Sequence, residues 1–171
     1  MAGAPVAVPT DEVSVFREHY QRFRGVTLQT LKLIPEDKLD FRAHPRARTL
    51  GQHFMHVAEV EHFYITGLLD GIWEFDPPDP YVTHESVEFR LAMERERTLE
   101  RLYEVDRVKL AQLADVPNIP VQWPVRSWLW YIVEHEIHHR SQVAHALRML
   151  EIRPSFWGYV FPHGFRPDEL V

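Results

Sequence analysis

Apolar positions recur along this chain mostly at three- and four-residue spacing, the period of a helix that buries one face. Val13, Phe16, Tyr20, Phe23, then Val26 or Thr27, and Leu31 predict a first helix from about Asp11 to Ile34. Thr10 can cap it, Asp11 and Glu12 favour its first turn, and Pro35 ends it. Gly25 inside it predicts a close helix crossing. Residues 35–48 carry no sustained period and read as a connecting loop with Leu39 and Phe41 tucked under it and His44 solvated. Thr49 and Gln52 form a capping-box pattern for a second helix that ends at Gly71. Prolines 77, 78 and 80 make residues 72–82 a rigid loop. A third helix is expected from His84 through Leu113, with the charged run ERERTLERLYEVDRVK as a solvated outer face. Residues 116–125 form another proline-bounded connection, and a fourth helix runs from Pro124 or Arg126 to about Ile152. No strand alternation is evident.

Four long helical segments in one chain of 171 residues predict an all-α four-helix bundle: a single domain over residues 1–171, with the bundle at about 11–152. The tail, 153–171, is irregular and aromatic, with Phe156, Trp157, Tyr159, Phe161 and Phe165, and is expected to pack across the bundle or a partner subunit.

The fourth helix carries the candidate chemistry. Turning about 100° per residue from His135 places Trp128, Tyr131, Ile132, His139, Gln142, Val143, Ala146, Met149 and Leu150 within about 80° of it. Glu134, Glu136 and Arg140 fall elsewhere, His138 lies at the rim and His145 further out. His135 and His139 thus share the centre of the face to be buried. Their spacing fits two ligands of one metal ion, or equally two core histidines satisfied by hydrogen bonds. On the second helix, His53 and His56 lie on the apolar face with Val57, Val60 and Tyr64, Glu59 sits one turn from His56, and His62 points away. Bundles build metal sites from facing helices, so His56 can supply a third ligand to His135 and His139. Three neutral imidazoles leave a divalent ion with positions open to water or thiol. Gln142, Tyr131, His53 and Glu59 are placed to orient ligands or substrate.

Composition narrows the classes. The net charge of -6 argues against sequence-independent nucleic-acid binding. The absence of cysteine excludes disulfides, thiolate ligands and a cysteine nucleophile. The start MAGAPVAVPT lacks the basic leader and long apolar core of a signal peptide, and no stretch has the roughly 18 uninterrupted apolar residues of a membrane span, so a cytoplasmic protein is expected.

The fourth-helix segment EHEIHHRSQVAHALRML resembles the signature of the DinB/YfiT-like family, roughly E-H-x-x-H-H-R-G-Q followed by L-R. TLGQHFMHVAEVEHFY resembles that family's Ser/Thr-x-G-x-x-x-x-His opening, and PEDKLDFRAHPRART its lead-in. Ser141 stands where the motif has glycine. The likeness spans about residues 11–152. It implies a four-helix bundle with a three-histidine site for a divalent metal, commonly nickel or zinc, on His56, His135 and His139, with Gln142 on the motif's Gln. It also implies a homodimer and a small-molecule substrate. The chemistry implied is that of a transferase using a low-molecular-weight thiol, or of a hydrolase; the alternative is a non-catalytic, stress-associated metal-binding bundle.

Overall fold

Each long helix begins where a side chain can satisfy its free amide groups. The computed structural model describes residues 11–77 and 82–154. Helix α1 (Glu12–Leu31) is capped by Asp11, whose carboxylate accepts from the Ser14 amide. Helix α2 (Leu50–Asp70) opens on the Thr49/Gln52 capping box and closes on Gly71, whose φ of 77° lies in the left-handed region that glycine enters freely. Helix α3 (His84–Arg101) opens on a second capping box, Thr83 with Ser86. Helix α5 (Val125–Met149) follows Pro124 and carries the histidine-rich stretch.

The expected long third helix does not continue to Leu113. It ends at Arg101, passes through a 3-10 turn, and gives way to the short helix α4 (Arg107–Ala111) and an antiparallel hairpin of β1 (Leu113–Asp115) and β2 (Gln122–Pro124). The break has local causes. Val105 is extended, and Asp106 caps the new helix by accepting from the Lys109 amide. Asn118, at φ 65°, turns the chain between the strands.

Helix α2 lies between α3 and α5, and α1 packs against the same two, so α1 stands diagonally across the bundle from α2. Two apolar cores fill the interior. One gathers Phe16, Tyr20, Tyr64, Leu68, Trp128 and Ile132, and the other Leu31, Phe54, Val57, Leu91, Val143 and Leu147.

Between these cores lies a layer of buried charge with one member from each long helix: Arg24, Glu61, Arg95 and Glu136. Arg24 donates to Glu61 at 2.5 Å, Arg95 donates to Glu61 at 2.8 Å and to Glu136 at 2.8 Å, and Thr27 donates to Glu136 at 2.5 Å. Several expectations fall here. Glu136 and Arg140 are buried rather than turned away from the core, and Glu94 and Arg95 are buried rather than on a solvated face of α3. The reason is that α5 and α3 each contact two neighbouring helices, so a second strip of each is covered. Conversely, Gln142 and Met149 are exposed. Gly25 is exposed with open space where a Cβ would project, and the close approach is at Gly67, against the Trp73 ring. His62 is half-buried and 3.1 Å from Glu94 rather than solvated. Among the described residues no helix is long and apolar enough to cross a membrane. The aromatic residues of the tail lie outside the described residues.

Candidate metal centre

The α2–α5 interface brings together the three histidines that the two helix faces singled out. His56 comes from α2, and His135 and His139 come from consecutive turns of α5. One ligand atom from each lies within 4.8 Å of the other two. The Nε2 atoms of His135 and His139 face each other at 3.0 Å, and the His56 ring centre is 5.0 Å from that of His135 and 4.9 Å from that of His139. Nitrogens bound to one tetrahedral ion at 2.0–2.1 Å stand about 3.3 Å apart, so this spacing fits a divalent cation with little movement.

The histidines are also in the protonation state that ligation requires. Burial, followed by the charge of Arg48 and neighbouring histidines, lowers the pKa of His53 to about 4. Burial and the nearby His56 lower His135 to about 4, and burial with His135 and His56 lowers His139 to about 2. These imidazoles are neutral near pH 7, with lone pairs free for a metal.

The four expected supporting residues divide. His53 is buried, and its Nδ1 is 2.9 Å from Nδ1 of His139. If His139 donates that bond, its Nε2 is left bare and turned to the centre. Glu59 has a carboxylate oxygen 3.5 Å from His56 Nδ1. Tyr131 lies near His135, its ring tilted and 6.3 Å away between centres, and packs on Tyr64. Gln142 instead pairs with the exposed His138 at 2.7 Å, away from the three facing histidines. Nδ1 of His135 is buried and has no partner among the described residues.

Two open clefts lie beside this centre, one meeting it at His56 and the other at His53, the neighbour of His139. One, of about 460 Å³, is lined by His56, Glu59, Gln52 and Arg42. The other, of about 540 Å³, is lined by His53, His138, Gln142 and His145. Arg46 and Arg48 border both. Reading residues 35–48 as a plain connection missed this. The signal was there as three arginines, Arg42, Arg46 and Arg48, with no acid after Asp40.

A second group with ligand-like spacing sits elsewhere: His62 on α2, Asp76 in the loop that follows it, and Glu94 on α3. Arg90 reaches both carboxylates and Arg97 reaches Glu94, so these acids are already neutralised by guanidinium groups.

The sequence model of the DinB family matches residues 9–156. No curated protein matches the chain. Among solved structures, a DinB-like protein from Bacillus cereus superposes with TM-score 0.69 at 17% identity, covering 82% of this chain and 94% of that one. The DinB-like YjoA of Bacillus subtilis gives TM-score 0.66 at 16% identity, covering 80% and 92%. YfiT from Bacillus subtilis, described as a probable metal-dependent hydrolase with an unusual four-helix bundle topology, gives 0.67 at 12% identity, covering 88% and 94%.

Proposed function

The chain belongs to the DinB family, and from that premise we propose that it is an enzyme dependent on a divalent metal and acting on a small molecule. His56, His135 and His139 would hold the ion, with zinc or nickel the ions that suit an all-imidazole set. The observation that carries this reading is the pair of Nε2 atoms facing each other at 3.0 Å in a buried setting, with His56 beside them. A cation between them would engage both nitrogens and His56 at once, whereas a shared N–H between the two rings leaves His56 out.

When bound, such an ion would supply Lewis acidity that eases proton loss from a water or thiol near neutral pH. The chain's own residues do the rest. His53 orients His139, Glu59 orients His56, and the two clefts beside the 42–48 loop open onto His56 and His53. Three protein ligands, with no fourth in the group among the described residues, match a site that keeps a position open for substrate rather than one closed for structure. The reaction class that fits is transfer to or from a low-molecular-weight thiol, or hydrolysis; YfiT's description as a probable metal-dependent hydrolase supports the second. Homodimerisation belongs to the same reading, supported by the exposed apolar side chains Phe89, Tyr103 and Trp130.

The test is elemental analysis of tag-free protein, followed by thiol-conjugation and hydrolysis assays of the zinc- and nickel-loaded forms. About one equivalent of metal per chain, lost on chelation together with turnover, is expected. Protein that neither retains nor takes up a divalent ion would reject the reading. Light scattering that shows a monomer at high concentration would reject the dimer.

A further inference from the structure

The 42–48 loop is braced from within and pinned to the start of α2. The Leu50 amide donates to the Phe41 carbonyl at 3.0 Å and the Gly51 amide to the Leu39 carbonyl at 2.9 Å. Arg42 donates to the Ala47 carbonyl at 3.0 Å, and the Arg46 amide donates to Nδ1 of His44 at 3.1 Å. A loop held this way presents its remaining side chains from a fixed backbone. Those side chains are Arg46 and Arg48, and both are exposed.

Neither guanidinium has an ion-pair or hydrogen-bond partner among the described residues. By contrast, the buried or half-buried arginines Arg22, Arg24, Arg90 and Arg95 all meet carboxylates. Arg46 and Arg48 instead border both clefts, one lined by His56 and the other by His53, and among the described residues Glu59 is the single lining carboxylate. The Arg48 charge is close enough to be felt at His53 and His135. A positive rim is unexpected on a chain of net charge -6, and it lines the same clefts as His56 and His53. Guanidinium forks match carboxylate and phosphate oxygens in pairs, and a locally positive cleft concentrates anions.

We propose that Arg46 and Arg48 are the substrate's anion-recognition site, and that the substrate is a small molecule carrying a carboxylate or phosphate a short chain away from its reacting atom. This assignment of substrate class rests on the metal-centre reading. The anion site itself stands on the arginines and is tested separately.

In the first experiment, isotope-labelled, metal-free full-length protein is titrated with inorganic phosphate and followed by nuclear magnetic resonance. Saturable shifts are expected at the Arg46 and Arg48 side-chain Nε–H groups and at amides of residues 42–56. Affinity should fall about ten-fold or more in the R46A/R48A double variant and stay unchanged in R107A, on the short helix α4. Absence of saturable shifts, or equal binding by the double variant, would overturn the anion site. Both arginines are exposed loop residues, so the double variant should keep the wild-type spectrum elsewhere.

In the second experiment, cobalt-loaded protein is titrated with 3-mercaptopropionate and with the uncharged 3-mercaptopropanol, and the thiolate-to-cobalt absorption band is followed. The carboxylate thiol is expected to bind about ten-fold tighter to the wild type and no tighter to R46A/R48A. Equal affinities in the wild type would overturn the substrate class. Failure to load cobalt, with phosphate still binding the arginines, would instead overturn the metal reading and leave the anion site standing, its link to the histidines refuted.

Discussion

His138 and His139 are neighbours on α5, yet His139 is 6% exposed and meets two other histidines, while His138 is exposed and meets Gln142. Replacing either with alanine changes local helix propensity nearly equally, so the pair isolates ligation. His139→Ala is expected to lower zinc affinity by orders of magnitude. His138→Ala should leave it within about 10-fold, and His53→Ala should lower it by about 10- to 100-fold through lost orientation of His139. Calorimetric titration with zinc and nickel decides; a His138→Ala protein that no longer binds would reverse the assignment. Protons compete at the same atoms. Folded-state values near 4 for His53 and His135, and about 2 for His139, lie below the ordinary 6.5. Between those limits the unfolded chain binds more protons than the folded one, so the contribution of these groups is fully present above pH 6.5 and is lost as pH falls toward 4. Thermal unfolding of the metal-free protein should therefore shift to lower temperature from pH 7.5 to pH 5, with a shallower slope in His139→Ala. Equal slopes would contradict the burial argument.

At the scale of elements, the glycines separate packing from propensity. A Cβ built on Gly67 would stand 2.1 Å from the Trp73 ring, where α2 receives the following loop. Gly67→Ala is expected to destabilise the fold by about 1–3 kcal/mol by forcing that ring out. Gly25 has open space where its Cβ would project, so Gly25→Ala should stabilise α1 by about 0.5–1 kcal/mol. Urea unfolding of both variants checks the opposite signs. The break after α3 belongs to this scale too. The apolar positions Leu102, Val105 and Leu110 continue a helical spacing through it, so periodicity alone extends one helix over what are a 3-10 turn and the separate helix α4. The Asp106 cap was the available signal.

Across the whole molecule, the charged layer ties the four long helices at one level between two apolar cores. Burial alone would raise the Glu136 pKa, but Arg24 and Arg95 outweigh it and hold the carboxyl well below its ordinary range. Glu136 also follows His135 directly in α5, so the layer anchors the helix that presents two of the candidate ligands. Glu136→Gln leaves Arg95 and Arg24 short of a buried counter-charge and is expected to cost about 3–5 kcal/mol in urea unfolding. Retention of wild-type stability would mean that the layer relaxes or admits solvent.

By itself the sequence determined the helical class, the caps at Thr49 and Gly71, and the helix faces that carry His53, His56, His135 and His139. These follow from local periodicity and backbone chemistry, which act over a turn or two. Only the tertiary structure decided that α1 stands diagonally opposite α2, because which helices touch depends on how distant faces cover one another. For the same reason it alone revealed that α5 has a second buried strip. A one-sided helical projection assigns Glu136 and Arg140 to solvent, whereas Arg24 of α1 and Arg95 of α3 meet Glu136, and the Phe23 carbonyl and Thr27 of α1 accept from Arg140, which lets both stay inside. The tertiary structure also brought Arg46 and Arg48 to the rim of the histidine centre, since an aperiodic loop has no face until the helices it joins fix its path.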